Sequence, residues 1–250
     1  MAGPIERYLL DKIKVDGSIH MTLIDPEKVT AEEAASIAQS ASNSGTAAIM
    51  IGGSTVSSQK QLDEVVQAIK AAVATPTILF PGNVNGISRN ADAIWFMSML
   101  NSTDPYFLMG AQIIGAPYIK KFNIEPLSMG YIIVGDGGTV GKVGKAIPIS
   151  YSNPELAVAH ALAGQYLGMR FIYLEGGSGV KVPVPTDMIR AVKQTIDIPL
   201  IVGGGIRTPE AAAVAADAGA DIIVTGNLIE TSEGTQRVAQ IVKAIKHRRA

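Results

Sequence analysis

Eight short apolar runs punctuate the chain, at residues 19–24, 47–51, 77–80, 93–97, 131–134, 171–174, 200–202 and 222–224. They are continuous rather than alternating, the pattern of parallel strands buried on both faces. Helix starts lie between them. Thr30 with Glu33, and Ser58 with Gln61, have the spacing of capping boxes. Asn153-Pro154-Glu155 and Thr208-Pro209-Glu210 each offer an N-cap, a proline at N1 and an early acid. Thr186-Asp187 opens another helix behind Pro183 and Pro185, and 104–119 reads as an apolar helix with Pro105 near its start. One interval breaks the alternation. PGNVNGISRNAD (81–92) is polar, short and glycine-containing, so the third helix is expected to be missing or replaced by an extended loop. Strand–helix alternation repeated eight times favours a closed α/β barrel over an open sheet. No low-complexity linker divides the chain. The expectation is one (β/α)₈ TIM-barrel domain over residues 1–250, the usual length for that fold.

In such a barrel the chemistry sits at the C-terminal strand ends. Reading just past each run gives Asp25-Pro26-Glu27-Lys28, Gly52-Gly53-Ser54-Thr55, Pro81-Gly82-Asn83, Glu175-Gly176-Gly177-Ser178-Gly179, Gly203-Gly204-Gly205-Ile206-Arg207 and Gly226-Asn227. Glycines clustered in three successive final loops point to phosphate. Backbone N–H groups hold the anion, and side chains would keep it at a distance. The alternative is that they only make tight turns. Asn227-Leu228-Ile229-Glu230 could begin the short extra helix that completes such a cup in many barrels. Asp25 could bind Mg²⁺, act as a base or cap its loop, and Ser54 could add a hydroxyl ligand. Glu175 could take a proton from a bound hydroxyl or only hydrogen-bond to it. Tyr173, two residues earlier, points to the same side of the strand.

Composition removes several classes of function. Net charge is −1, so no broad basic field is available for nucleic acid, and Lys246-His247-Arg248-Arg249 reads as a solvated helix tail. There is no cysteine, which excludes disulfides and thiolate metal sites and suits a cytoplasmic location. His20, His160 and His247 are scattered without zinc spacing. Neither a GxSxG elbow nor a P-loop occurs. The opening residues mix acids and bases, so no signal peptide is expected, and no apolar stretch is long enough to span a bilayer. Mean hydropathy of +0.26 leaves three sources open: an oligomer interface, an apolar substrate groove, or a barrel rich in Ala, Ile and Val. Trp95 and Phe96 read as core or groove wall.

The motifs LIDPEK (23–28), IGGS (51–54), FPGNVNGIS (80–88), ADAIWFMSMLNS (91–102), YLEGGSG (173–179), IVGGGIR (201–207) and TGN (225–227) together resemble the geranylgeranylglyceryl phosphate synthases. These are archaeal prenyltransferases that make the first ether bond of membrane lipids; bacterial heptaprenylglyceryl phosphate synthases are related. The resemblance covers nearly the whole chain and implies a barrel whose third helix is replaced by an extended segment. It implies sn-glycerol 1-phosphate as acceptor, an allylic prenyl diphosphate, usually geranylgeranyl diphosphate, as donor, and Mg²⁺ as cofactor. Carried over by motif, Asp25 and Ser54 belong to Mg²⁺ and the diphosphate. Tyr173, Glu175, Gly176, Gly177, Ser178 and Gly179 hold glycerol phosphate, with Gly204, Gly205, Gly226 and Asn227 completing the cup. Glu175 would take the proton of the attacking 3-hydroxyl. Where the family more often has alanine, this chain has Gly176. The prenyl tail would lie between strands three and five. A homo-oligomer, dimer or hexamer, and transient membrane-surface contact are also implied. Competing readings are a phosphate-barrel isomerase or aldolase, which would want a strand-end lysine where only Lys28 comes near, and a non-catalytic binder of phosphate ligands.

Overall fold

The computed structural model describes residues 2–53, 58–226 and 234–248. Eight parallel strands close into a barrel in chain order: β1 (Ile19–Ile24), β2 (Ala48–Ile51), β3 (Thr77–Leu79), β4 (Ala93–Met99), β5 (Glu125–Ile133), β6 (Phe171–Glu175), β7 (Leu200–Gly203) and β8 (Ile222–Thr225). β1 pairs with β8 from Ile19↔Ile222 to Thr22↔Thr225, so no edge is left open. The described helices are α1 (Pro4–Asp16), α2 (Ala31–Asn43), α3 (Gln59–Ala72), α4 (Ala111–Phe122), α5 (Gly138–Val143), α6 (Pro154–Tyr166), α7 (Thr186–Thr195), α8 (Pro209–Asp217) and α9 (Gly234–Ile245).

Alternation along each strand divides two kinds of core. In β4, Trp95 and Met99 face the barrel interior with Met21, Met50, Met129 and Phe171. Ile94 and Phe96 face outward, against the layer that includes Ile87 and Ile119. Burial of both faces explains why the strands read as unbroken apolar runs. The N-terminal helix α1 sends Leu9 into the interior core. Its first N–H groups, on Ile5 and Glu6, donate to the Glu125 carboxylate at the start of β5 (2.7 and 2.9 Å), which supplies a cap that its own N-cap, Gly3, cannot.

Three differences from the sequence reading have physical causes. β5 begins at Glu125, six residues before the apolar run, because Glu125, Pro126, Ser128 and Gly130 interrupt the hydrophobic pattern while still pairing with β4 from Ala93↔Glu125 to Met99↔Tyr131. Ser58 caps α3, but Gln61 does not return the bond as a capping box requires. Its amide donates instead to Pro26 O (2.7 Å), tying α3 to the loop after β1. The apolar helix at 104–119 is a π-helical turn, Tyr106–Gly110, running into α4, which continues to Phe122 through Pro117. The Thr30–Glu33 capping box forms both of its bonds, and Asn153 and Thr208 cap α6 and α8. Between β3 and β4 only a three-residue 3₁₀ turn, Val84–Gly86, is present, so the expected loss of the third helix is borne out.

Candidate active site

Glu175 is the last residue of β6. The same pleat that sends Phe171 and Tyr173 into the barrel interior sends its side chain into the mouth. Its carboxylate is enclosed by donors. Oε1 accepts from the Gly177 N–H (2.6 Å), Oε2 accepts from the Tyr131 hydroxyl (3.3 Å), and the Tyr173 hydroxyl donates as well. Burial pushes the Glu175 acid above the usual carboxylate range, while the bonds from Gly177, Tyr173 and Tyr131 pull the other way. Burial and the neighbouring Glu175 charge hold both phenols well above their ordinary range, so they stay protonated donors.

The glycines at the end of β7 and just past it make this arrangement sterically possible. A Cβ on Gly203 would lie 2.1 Å from the Tyr173 hydroxyl. Gly204 has φ +88°, and a Cβ there would lie 2.7 Å from Gly177 N and 2.8 Å from Glu175 Oε1. The β6 and β7 loops therefore touch backbone to backbone. Arg207 braces them, donating to Gly179 O and Val180 O (3.1 and 3.2 Å).

Asp25 stands just past β1 on the early side of the mouth. Its Oδ1 accepts from Glu27 N (3.1 Å), Lys28 Nζ lies 3.7 Å from Oδ2, and Gly53 leaves room for the carboxylate where a Cβ would approach to 2.8 Å. Among the described residues no three His, Cys, Asp or Glu side chains gather as a metal centre. A lone hard-oxygen carboxylate at the rim fits an ion such as Mg²⁺, which takes one or two protein carboxylates and completes its shell with substrate oxygens and water.

One cavity of about 390 Å³ joins these parts. Asp25, Tyr173, Glu175, Gly177, Ser178, Gly179, Gly204, Gly205 and Gly226 all line it. Gly176 does not; it faces the Tyr151 hydroxyl, to which a Cβ would come within 3.0 Å. Ser54 and Asn227, and the start of a helix at 227–230, lie outside the described residues. The cavity continues as a groove over the outer face of β4, where the third helix is missing. Ile94 and Phe96 form its floor, and Gly115 and Ile119 of α4 form a wall. Sequence reasoning missed Tyr131, which sits six residues into a strand read as starting there. It also passed over Phe80 and Arg207 as side chains, although both stand in quoted motifs and line the cavity.

Comparisons with known proteins agree with this geometry. A model of the PcrB family matches residues 11–246. The geranylgeranylglyceryl phosphate synthase of Thermofilum pendens is 52% identical over 247 residues, covering 98% of this chain and 96% of its own. That of Pyrococcus abyssi is 50% identical over 244 residues, covering 98% and 97%. The crystal structure of (S)-3-O-geranylgeranylglyceryl phosphate synthase from Thermoplasma acidophilum in complex with sn-glycerol-1-phosphate superposes with a TM-score of 0.94 at 44% identity, over 98% of this chain and 99% of that one. The thiamine phosphate pyrophosphorylase of Pyrococcus furiosus, at 13% identity and a TM-score of 0.58, shares the fold alone. With the family model spanning nearly its full length, the chain belongs to the PcrB family, alongside the geranylgeranylglyceryl phosphate synthases it matches.

Proposed function

We propose that the protein is a Mg²⁺-dependent prenyltransferase that joins the 3-hydroxyl of sn-glycerol 1-phosphate to geranylgeranyl diphosphate. The products are geranylgeranylglyceryl phosphate and diphosphate. The observation that carries this reading is the continuity of one cavity: a glycine-lined anion cup beside a buried carboxylate opens directly into an apolar groove. A small phosphorylated acceptor suits the cup, and a long hydrocarbon tail suits the groove. The relatives' shared name selects this pair from other phosphate and prenyl chemistries.

In this reading the N–H groups of Ser178, Gly179, Gly204, Gly205 and Gly226, with Asn227, hold the acceptor phosphate, while Gly176 and Gly177 spend theirs on Gly203 O and Glu175, and Arg207 keeps the loops together. Tyr173 and Tyr131 orient Glu175, which takes the proton of the attacking hydroxyl. Its raised acid strengthens it as a base. Asp25, with Ser54, holds Mg²⁺; when bound, the ion neutralises diphosphate charge and makes it a better leaving group. Fixing both substrates by their phosphates turns an encounter into a positioned reaction. The exposed apolar face of α4 (Ile113, Ile114 and Tyr118) supports assembly as a dimer or hexamer. No described helix is long and apolar enough to cross a membrane; the lipid product is delivered by transient surface contact from a single-domain cytoplasmic enzyme.

The test is direct. With labelled glycerol 1-phosphate, Mg²⁺ and geranylgeranyl diphosphate, label should move from water into butanol as a prenyl ether. Chelation should abolish transfer and added Mg²⁺ restore it. No butanol-extractable ether would sink the reading.

A further inference from the structure

Phe80, Tyr131 and Tyr173 form a closed aromatic cluster. Phe80 and Tyr173 stack at 5.8 Å between centroids and 24° between planes. Tyr131 stands roughly perpendicular to both, at 90° and 77°, with centroids 5.6 and 5.2 Å away. All three rings line the cavity. Their placement along the reaction axis is specific. Phe80 follows β3, and its carbonyl packs so closely on the early loops that a Cβ on Gly52 would lie 1.9 Å from it. Asp25 and Gly53 are on that side. At the other end of the cluster, Tyr131 and Tyr173 bond to Glu175. The cluster therefore lies between the Asp25 side of the mouth and Glu175, the two ends that the proposed function gives to the donor diphosphate and the acceptor hydroxyl.

From this juxtaposition we propose that the π faces of Phe80, Tyr131 and Tyr173 stabilise the positive charge that develops on the allylic carbon during transfer, a catalytic role for Phe80 and Tyr131 beyond acid–base chemistry. It rests on the prenyltransfer reading above. In the step, the bond from C1 to the diphosphate oxygen breaks and its electron pair leaves with the diphosphate. The acceptor oxygen bonds to C1, and the hydroxyl proton passes to Glu175. Between breaking and forming bonds, C1 and C3 of the allyl unit share positive charge. An aromatic face attracts such a cation through its quadrupole, more strongly when water is excluded. Each phenol that donates its O–H to Glu175 carries more electron density in its ring, which deepens the attraction. The aliphatic side chains farther along the groove, such as Ile87 and Ile94, offer no comparable face.

The test uses the intact enzyme and a geranylgeranyl chain ending in a dimethylammonium group, which mimics the cation. Its affinity, with inorganic diphosphate and Mg²⁺ present, is compared by calorimetry with that of a neutral isostere. Wild type should prefer the cation by on the order of tenfold. Replacing Phe80 by mono-, di- and trifluorophenylalanine keeps the shape and drains the quadrupole, so the preference should fall stepwise. Y131F, which keeps the ring, should retain most of it; Y131L should lower it. No preference in wild type, or a preference unchanged across the fluorination series at Phe80, overturns the proposal. If prenyl transfer proceeds all the same, the reading of function stands and only the aromatic role is lost.

Discussion

The two sides of the barrel mouth are built by opposite means. On the late side, around β6 and β7, missing side chains let backbones approach until loops touch. Gly203 and Gly204 leave room for the Tyr173 hydroxyl and the Glu175 carboxylate. On the early side, around β3 and β4, a whole helix is missing, and the outward residues Ile94 and Phe96 become the floor of a groove. Removing Cβ atoms yields a polar cup measured in tenths of an ångström. Removing a helix yields an apolar trough with wide tolerance. The late side should therefore respond steeply to single atoms and the early side gradually to volume.

The strongest expected break is E175Q. It keeps the shape and removes the base, so kcat should fall about 10²–10⁴-fold with little change in acceptor KM. Unchanged turnover would remove Glu175 from the chemistry. G203A should cost about 10²-fold in kcat, because its Cβ displaces the Tyr173 hydroxyl at 2.1 Å. Recovery in the double variant G203A/Y173F towards the level of Y173F alone would show that the collision with the hydroxyl, not the strand, was at fault.

A third test uses pH. His20 is fully buried, bridging Thr46 and Thr225 with its two ring nitrogens (2.9 and 2.8 Å), and burial lowers its pKa to about 3. Its ordinary value in the unfolded chain is about 6.5. The unfolded state therefore binds more protons between those values, and stability is lost as pH falls through that window. The slope should approach about 1.4 kcal/mol per pH unit. Thr225 ends β8, directly before the cup, so acid should loosen the late side first. Hydrogen exchange across pH 6.5 to 4 should show β8 opening before β4; simultaneous opening would contradict this. The smallest effect belongs to the early side. G115L narrows the groove, where even a Cβ would stand 3.2 Å from Ile87 Cδ1. It should raise KM for a C20 donor about tenfold, shift preference to shorter chains, and leave glycerol phosphate binding unchanged.

The contrast between the two sides also explains what could be read in advance. Phe171–Glu175, Leu200–Gly203 and Ile222–Thr225 announce themselves as apolar runs ending in glycine loops, because parallel strands buried on both faces leave that mark. PGNVNGISRNAD reveals the missing helix because it lacks the period that a helix needs. The start of β5 is hidden because Glu125 serves α1 rather than the barrel core. Tyr131 is hidden for a related reason: its position opposite Tyr173 depends on the register between β5 and β6, which no local pattern encodes.

Sequence alone thus determines the barrel, the glycine loops and the acid at the end of β6, since periodicity and turn chemistry are local. Tertiary structure decides what those parts become together. Barrel closure brings Tyr131, Tyr173 and Gly177 around one carboxylate, and the absent helix becomes a groove only because α4 packs beside β4. Those outcomes rest on distances between segments far apart in the chain, and close packing, not local preference, sets such distances.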